Sequence, residues 1–69
     1  MSMQITLNGE PKTLDADITT IYDLLNSLGI KQNNVAIEVN LELVPRSTYQ
    51  SHIINEADRI EIIHFVGGG

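Results

Sequence analysis

The chain has 69 residues, with nine acidic and four basic side chains, a net charge of −5 at pH 7 and no cysteine. This length allows one small domain with a single modest core, and the missing cysteines exclude disulfides, thiolate metal sites and a cysteine nucleophile. The acidic balance, without a basic stripe or stacking aromatic residues, argues against nucleic-acid binding and favours a positively charged protein partner. The apolar runs are too short for a membrane-spanning helix, so we expect no membrane contact, and the lack of cysteine fits a cytoplasmic location.

The first segments predict a β-hairpin. Residues Met3 to Leu7 alternate apolar and polar side chains, which is typical of a strand with one buried face. Asn8-Gly9 follows, and both residue types tolerate the positive φ angles of a type I′ turn. The return strand is predicted over 12–14, with Pro11 before it, since proline is found at sheet edges and at strand starts.

The next segment predicts a short amphipathic helix. Thr20 and Asp23 have the spacing of a capping box, which marks the start of a helix. Gly29 suits the position just after a helix end, where a left-handed residue is common. A helix of about nine residues is not stable alone in water, so we expect it to lie against a sheet. Its apolar stripe consists of residues at helical spacing, namely Ile21, Leu24, Leu25 and Leu28.

Three further strands are predicted after the helix. They cover 35–39, 43–44 after a turn at 40–41, and 59–66, while Ile53-Ile54 is expected to return to the core. The order β-β-α-β-β-β favours an α+β fold in which one helix crosses a mixed sheet of about four or five strands. The first and last strands are expected to be parallel neighbours through a right-handed crossover. This arrangement is a β-grasp, or ubiquitin-like, roll, which we place at residues 1–66.

The last predicted strand has apolar residues on both faces. Ile60 and Ile62 share one face, and Ile63 and Phe65 share the other. Because a single helix covers only one face of the sheet, we interpret the second face as a partner-binding surface; a covering loop is the alternative. Three further residues are candidates for the same surface: Val66, Leu41 and Val44.

The sequence ends in three glycines, Gly67-Gly68-Gly69. Glycine usually serves a turn or a helix cap from which the chain continues, and that role does not explain these residues. A bare glycine segment is thin enough to enter a narrow channel, and three extended residues reach at most about 10 Å. We interpret 67–69 as a flexible arm that presents the Gly69 carboxylate to another protein; a frayed tail is the alternative.

The element order, the short length and the glycine terminus together resemble the small sulfur carrier proteins. Within that group, residues 40–47, which read Asn-Leu-Glu-Leu-Val-Pro-Arg-Ser, resemble a landmark segment of the thiamine-pathway sulfur carrier (ThiS) family, and 20–25 and 56–58 are similar to further landmarks. The chain departs from the family at Leu41 and Ala57, where glycine is usual. Leu41 therefore argues against a type I′ turn, and Ala57 requires either a negative φ or some backbone strain.

The resemblance implies a carrier that is acted on by enzymes and is not itself an enzyme. A ubiquitin-activating-like enzyme would use ATP to adenylate the Gly69 carboxylate, and a sulfur donor protein would convert it to a thiocarboxylate for thiazole synthase. Gly67 and Gly68 would give the arm access to these enzymes. The chain would bind no cofactor or metal and would supply no catalytic residue; His52 and His64 are not spaced as metal ligands.

Three other functions stay open. The sulfur carrier subunit of molybdenum cofactor synthesis has a similar fold and terminus, although residues 44–47 favour the thiamine pathway. A protein modifier would instead join its terminal glycine to a lysine. A β-grasp interaction module with an inert tail would undergo no reaction at Gly69.

Overall fold

The computed structural model describes residues 2–65, and in this range it confirms the predicted order of elements. The sheet has five strands in the order β2-β1-β5-β3-β4, with β1 and β5 parallel and the other neighbouring pairs antiparallel. The elements are β1 Met3–Leu7, β2 Glu10–Leu14, α1 Ile21–Ser27, β3 Val35–Val39, β4 Glu42–Val44 and β5 Arg59–His64, with 3₁₀ turns at Gln32–Asn34 and Arg46–Thr48.

The first hairpin closes through the predicted turn. Asn8 has φ 49° and Gly9 has φ 85°, the positive values that a type I′ turn requires. Strand β2 begins at Glu10 and so includes Pro11, which the sequence placed before the strand. Pro11 pairs with Thr6 on an edge strand, next to the pair that closes the turn. Residue pairs in an antiparallel ladder alternate between hydrogen-bonded and non-hydrogen-bonded pairs, and Pro11 lies in a pair of the second kind. Its nitrogen therefore faces away from β1, and the missing N–H breaks no hydrogen bond of the ladder.

Helix α1 starts with the predicted capping box. The Asp23 amide donates to Thr20 Oγ1 at 3.1 Å, and the Thr20 amide donates to Asp23 Oδ2 at 3.1 Å. Ile21, Leu24 and Leu25 are buried, but the helix has seven residues and Leu28 forms its exposed C-cap. The prediction that Leu28 belongs to the buried stripe was therefore wrong. Gly29 follows with φ 71° and ends the helix.

One apolar core lies between α1 and the inner face of the sheet. Val44, predicted as part of a partner surface, lies in this core and is 5% exposed, because it pairs with Ile37 on the face that meets the helix. Ile54 is buried as expected, whereas Ile53 points outward. The core residues are Ile5, Leu14, Ile21, Leu24, Leu25, Val35, Ile37, Val39, Val44, Tyr49, Ile54, Ile60 and Ile62.

Besides the first hairpin, two further turns hold side chains in a backbone region that favours glycine. Asn40 and Leu41 have φ 53° and 72°, so the β3–β4 turn has the positive φ pair of a type I′ turn, and the expectation against it was wrong. Ala57 has φ 70°, so of the two predicted possibilities, a negative φ or backbone strain, its turn adopts the one with strain. A polar network fixes the first turn: Asn40 Nδ2 donates to Asp58 Oδ1 at 2.9 Å, and the Arg59 amide donates to Asn40 Oδ1 at 2.9 Å. Such over-determined contacts hold a conformation that costs about 1–2 kcal/mol per residue.

Candidate functional site

The residues predicted to carry the chemistry follow β5. Val66, Gly67, Gly68 and Gly69 lie outside the described residues, so the geometry of the site is described up to Phe65. Strand β5 is the third of the five strands in the sheet order and has β1 and β3 as neighbours. The segment 66–69 therefore follows a strand in the middle of the sheet rather than one at its rim.

The end of β5 is fixed to the start of β3. His64 pairs with Val35, and the Phe65 amide donates to the Asn34 carbonyl at 3.1 Å. This last bond continues the antiparallel ladder one residue beyond the strand. The chain is thus held in an extended direction up to Phe65, the last residue that the structure describes.

The second apolar face of β5 is open to solvent. Ile60 and Ile62 point into the core, while Ile63 and Phe65 point to the opposite side and are exposed. The described residues place no loop over Ile63 and Phe65, which is the arrangement that a partner surface requires. Their role in binding stays a prediction, whereas their exposure and their place in the chain just before residues 66–69 are defined.

A further exposed residue, Leu43, lies on the same outer face and was missed as a candidate. Leu43 pairs with Glu38 across β4 and β3, and Ala36, two residues before Glu38, pairs with Ile63 across β3 and β5. We call Ala36, Leu43, Ile63 and Phe65 the outer apolar surface. The alternation of strand side chains carried the signal, since a buried Val44 places Leu43 on the other face.

Leu41 does not join this surface. It is 76% exposed, but it occupies the β3–β4 turn, at the end of the sheet away from Phe65. The four residue steps along the chain from Ala36 to Asn40, where the turn begins, span roughly 13 Å. The structure therefore separates Leu41 from Ile63 and Phe65, with Leu43 between them.

Acidic residues adjoin the outer apolar surface. Glu38 and Glu61 are direct cross-strand partners on the outer face. Like charges in this position destabilise a sheet slightly by themselves. A basic group from a binding partner would relieve this repulsion, which agrees with the net charge of −5.

The family is decided by comparison with known proteins. The model of the ThiS family matches residues 5–69, which is nearly the whole chain. The chain belongs to the ThiS family. The resemblance predicted from the sequence is thereby confirmed, and the family is one of sulfur carrier proteins of thiamine biosynthesis.

Solved and curated relatives agree with this assignment. A crystal structure of the thiamine biosynthesis protein ThiS from Geobacter metallireducens matches with a TM-score of 0.82 and 32% identity, over 97% of this chain and 100% of that chain. The sulfur carrier protein ThiS of Bacillus subtilis is 38% identical over 65 residues, 94% of this chain and 98% of that protein. The structural match confirms the predicted β-grasp roll.

A longer relative contains a ThiS-like region. The thiazole synthase of Paramagnetospirillum magneticum is 42% identical over 67 residues, which are 97% of this chain but 20% of that protein. The present chain thus spans about a fifth of the length of that relative.

Other features of the ThiS domain lie away from the outer apolar surface. Hydrogen bonds from the Thr19 amide and hydroxyl and from the Thr20 amide lower the pKa of Asp23, a carboxylate that caps α1. A shallow cavity of about 480 Å³ lies beside the end of the helix, with Tyr22 and Lys31 in its wall. Within residues 2–65, no group of three or more His, Cys, Asp or Glu side chains is placed to hold a metal ion. No helix in the same range is long and apolar enough to cross a membrane.

Proposed function

We propose that this chain is the sulfur carrier that supplies thiazole synthase in thiamine biosynthesis, and that Gly69 carries the sulfur. The observation that carries the proposal is the ThiS family match, which extends through the glycine tail to residue 69. The described end of β5 supports it, because the residues that precede the arm in the chain include the exposed apolar side chains of Ile63 and Phe65.

The proposed reaction at Gly69 begins with activation. The free α-carboxyl group has a pKa of about 3.5, so it is ionised at neutral pH and is a poor electrophile. An adenylating enzyme of the ubiquitin-activating type joins the carboxylate oxygen to the α-phosphorus of ATP and releases pyrophosphate. The resulting acyl-adenylate has a good leaving group. Sulfur released by a donor protein as hydrosulfide (HS⁻) then attacks the carbonyl carbon, the bond from that carbon to the AMP oxygen breaks, and loss of the sulfur-bound proton leaves a thiocarboxylate at Gly69.

In this proposal the chain is a protein-borne substrate and not a catalyst. ATP is used by the adenylating enzyme, so the carrier needs no bound cofactor, and the cycle takes place in the cytoplasm. Gly67 and Gly68 keep the arm narrow because they lack a Cβ, and they allow φ angles that other residues avoid. The outer apolar surface supplies the contact area that holds the carrier while the arm enters an active site.

The thiazole synthase relative supports the choice of acceptor. In that protein a ThiS-like region and a longer region belong to the same chain. Joining a carrier to its acceptor raises the effective concentration of one near the other. We therefore place the thiocarboxylate sulfur in the thiazole ring of thiamine rather than in the molybdenum cofactor.

An intact-mass experiment tests the proposal. The protein is incubated with the thiamine-pathway adenylating enzyme, ATP and a sulfur donor, and its mass is then measured. We expect a shift that corresponds to exchange of one oxygen for sulfur, located at Gly69 by fragmentation. Ligation to other proteins would instead identify a modifier, and an unchanged mass would identify an inert module.

The Gly68→Ala variant tests the role of the arm. We expect slower adenylation, because the added Cβ widens the arm and restricts its φ angles. The melting temperature should stay that of the wild type. Adenylation at the wild-type rate would contradict the proposed narrow channel.

A further inference from the structure

The two long sides of β5 are paired to different extents. On one side β3 pairs with β5 from Ile60 to His64. On the other side β1 pairs only at Arg59 and Ile60 before the chain turns away at Asn8-Gly9. From Ile62 onward, β5 therefore has a neighbouring strand on one side only among the described residues.

The backbone groups of β5 alternate between these two sides. The Arg59 carbonyl accepts from the Asn40 amide at 2.7 Å, so the main-chain groups of odd-numbered residues point toward β3. The Ile60 carbonyl accepts from the Asn8 amide at 2.9 Å, so the main-chain groups of even-numbered residues point toward β1. It follows that the main-chain groups of Ile62 and His64 point to the side where β1 has ended.

The side chain of Asn8 extends the β1 ladder by one bond. Its Oδ1 accepts from the Ile62 amide at 2.8 Å, after the backbone of Asn8 has already entered the turn. Beyond this bond, the Ile62 carbonyl and the His64 amide and carbonyl have no hydrogen-bond partner within residues 2–65. We call these three groups the open edge of β5.

The other two edges of the sheet are protected, whereas no feature of residues 2–65 protects this one. Strand β2 carries Pro11 and Lys12, and β4 has three residues and is followed by Pro45. Proline, lysine and short length are the means by which proteins prevent unwanted strand pairing. The segment Ile62-Ile63-His64-Phe65 has none of them, and its Ile63 and Phe65 side chains are exposed beside the open edge. An unprotected edge of this kind is a template for strand addition.

We propose that an extended segment of thiazole synthase adds as a strand to the open edge of β5. This inference rests on the proposed function, because an enzyme that encloses Gly69 has its own backbone beside the residues that precede the arm. A carbonyl group of the added strand accepts a hydrogen bond from the His64 amide. Backbone amides of the added strand donate to the Ile62 and His64 carbonyls. Its apolar side chains lie against Ile63 and Phe65, and its basic side chains meet Glu61, as the net charge of −5 favours.

Amide hydrogen exchange of the whole carrier, free and bound to thiazole synthase, tests the strand addition. The His64 amide has no partner in the described structure, so we expect rapid exchange in the free protein and strong protection in the complex. The Phe65 amide is already bonded to Asn34 and serves as the internal reference. A His64 amide that exchanges equally fast in a demonstrated complex would overturn the inference.

Two variants at one position provide the matched pair. His64→Pro removes the amide that points to the open edge and leaves the β3 ladder intact, because His64 and Val35 form a non-bonded pair. We expect it to weaken binding of thiazole synthase about tenfold, through loss of a hydrogen bond and disturbance of its neighbours. His64→Ala keeps the amide and should bind like the wild type. Equal affinities of the two variants would contradict strand addition.

The same samples separate this inference from the proposed function. A carrier that gains sulfur at Gly69 and binds the synthase, but leaves the His64 amide unprotected, contradicts the strand addition alone. A carrier that neither gains sulfur nor binds the synthase contradicts the proposed function as well. Because amide exchange uses the wild-type chain, a failure of His64→Pro to fold does not affect this decision.

Discussion

Ile62 and Ile63 are adjacent residues of the same type on β5, yet 7% of the first side chain and 47% of the second is exposed. Ile62 faces α1 and belongs to the core, whereas Ile63 faces away from the only α-helix among residues 2–65. The comparison of these two faces teaches that apolar residues on β5 have two separate roles. Those on the inner face hold the domain together, and those on the outer face are available to a partner.

Truncation on the inner face should have the largest effect on stability. Ile60→Ala removes a fully buried side chain beneath the helix, and we expect a loss of roughly 3 kcal/mol in the free energy of unfolding, measured by urea denaturation. Ile63→Ala is the matched control on the outer face and should cost less than about 1 kcal/mol. Similar losses for both variants would contradict the assignment of the two faces.

The reverse test acts on the outer face. The double variant Ile63→Ser, Phe65→Ser should weaken binding of the adenylating enzyme at least tenfold, because two exposed contact residues near an interface centre commonly supply about 1.4 kcal/mol or more. Its melting temperature should remain close to that of the wild type. Binding is measured by titration calorimetry.

Ile53→Ser is the control for the double variant. Ile53 and Phe65 are each 56% exposed, but Ile53 pairs with Thr20 at the start of α1, outside the outer apolar surface. We therefore expect Ile53→Ser to bind normally. If it binds as weakly as the double variant, general surface hydrophobicity, rather than this surface, explains the affinity.

The Leu41→Gly variant changes an exposed residue that takes no part in the core, and so tests a contribution to stability that does not depend on burial. Leu41 has φ 72°, so we expect glycine to raise the free energy of unfolding by about 1 kcal/mol. Gly9→Ala makes the opposite change in the β1–β2 turn, where Gly9 also has a positive φ and a Cβ meets no atom within 4 Å, and it should lower stability through the backbone alone. No gain for Leu41→Gly would mean that the turn network removes the strain. Both variants are compared by urea denaturation.

Local signals account for the parts of the fold that the sequence predicted well. The capping box at Thr20 and the Asn8-Gly9 turn depend on residues close in sequence, and the alternation in β3 needs only one buried face. The two-faced pattern of β5 likewise indicated the outer surface. The exposure of Ile63 and Phe65 followed from the presence of one helix to cover one face.

The predictions that failed depended on distant residues. Leu41 adopts its positive φ because Asn40 is bonded to Asp58 and Arg59, which lie far along the chain. Val44 was assigned to the outer face because the register of β4 was unknown, and a shift by one residue exchanges the faces of Leu43 and Val44. Such tertiary contacts are not visible in local spacing.

The smallest predicted effect concerns pH and the helix that covers the inner face. Hydrogen bonds from Thr19 and Thr20 lower the pKa of Asp23 in the folded state below the ordinary value of 3.8. The unfolded chain therefore binds the proton first, so the stability that Asp23 contributes is present above pH 3.8 and is lost as the pH falls through the folded pKa. Asp23→Asn should be less stable than the wild type at neutral pH, and the difference should shrink on acidification. The control is Ile63→Ser, which is altered on the outer face; its free energy of unfolding, measured in the same urea series, should depend on pH as that of the wild type does. A stability difference between the wild type and Asp23→Asn that is constant with pH would contradict the ionised cap.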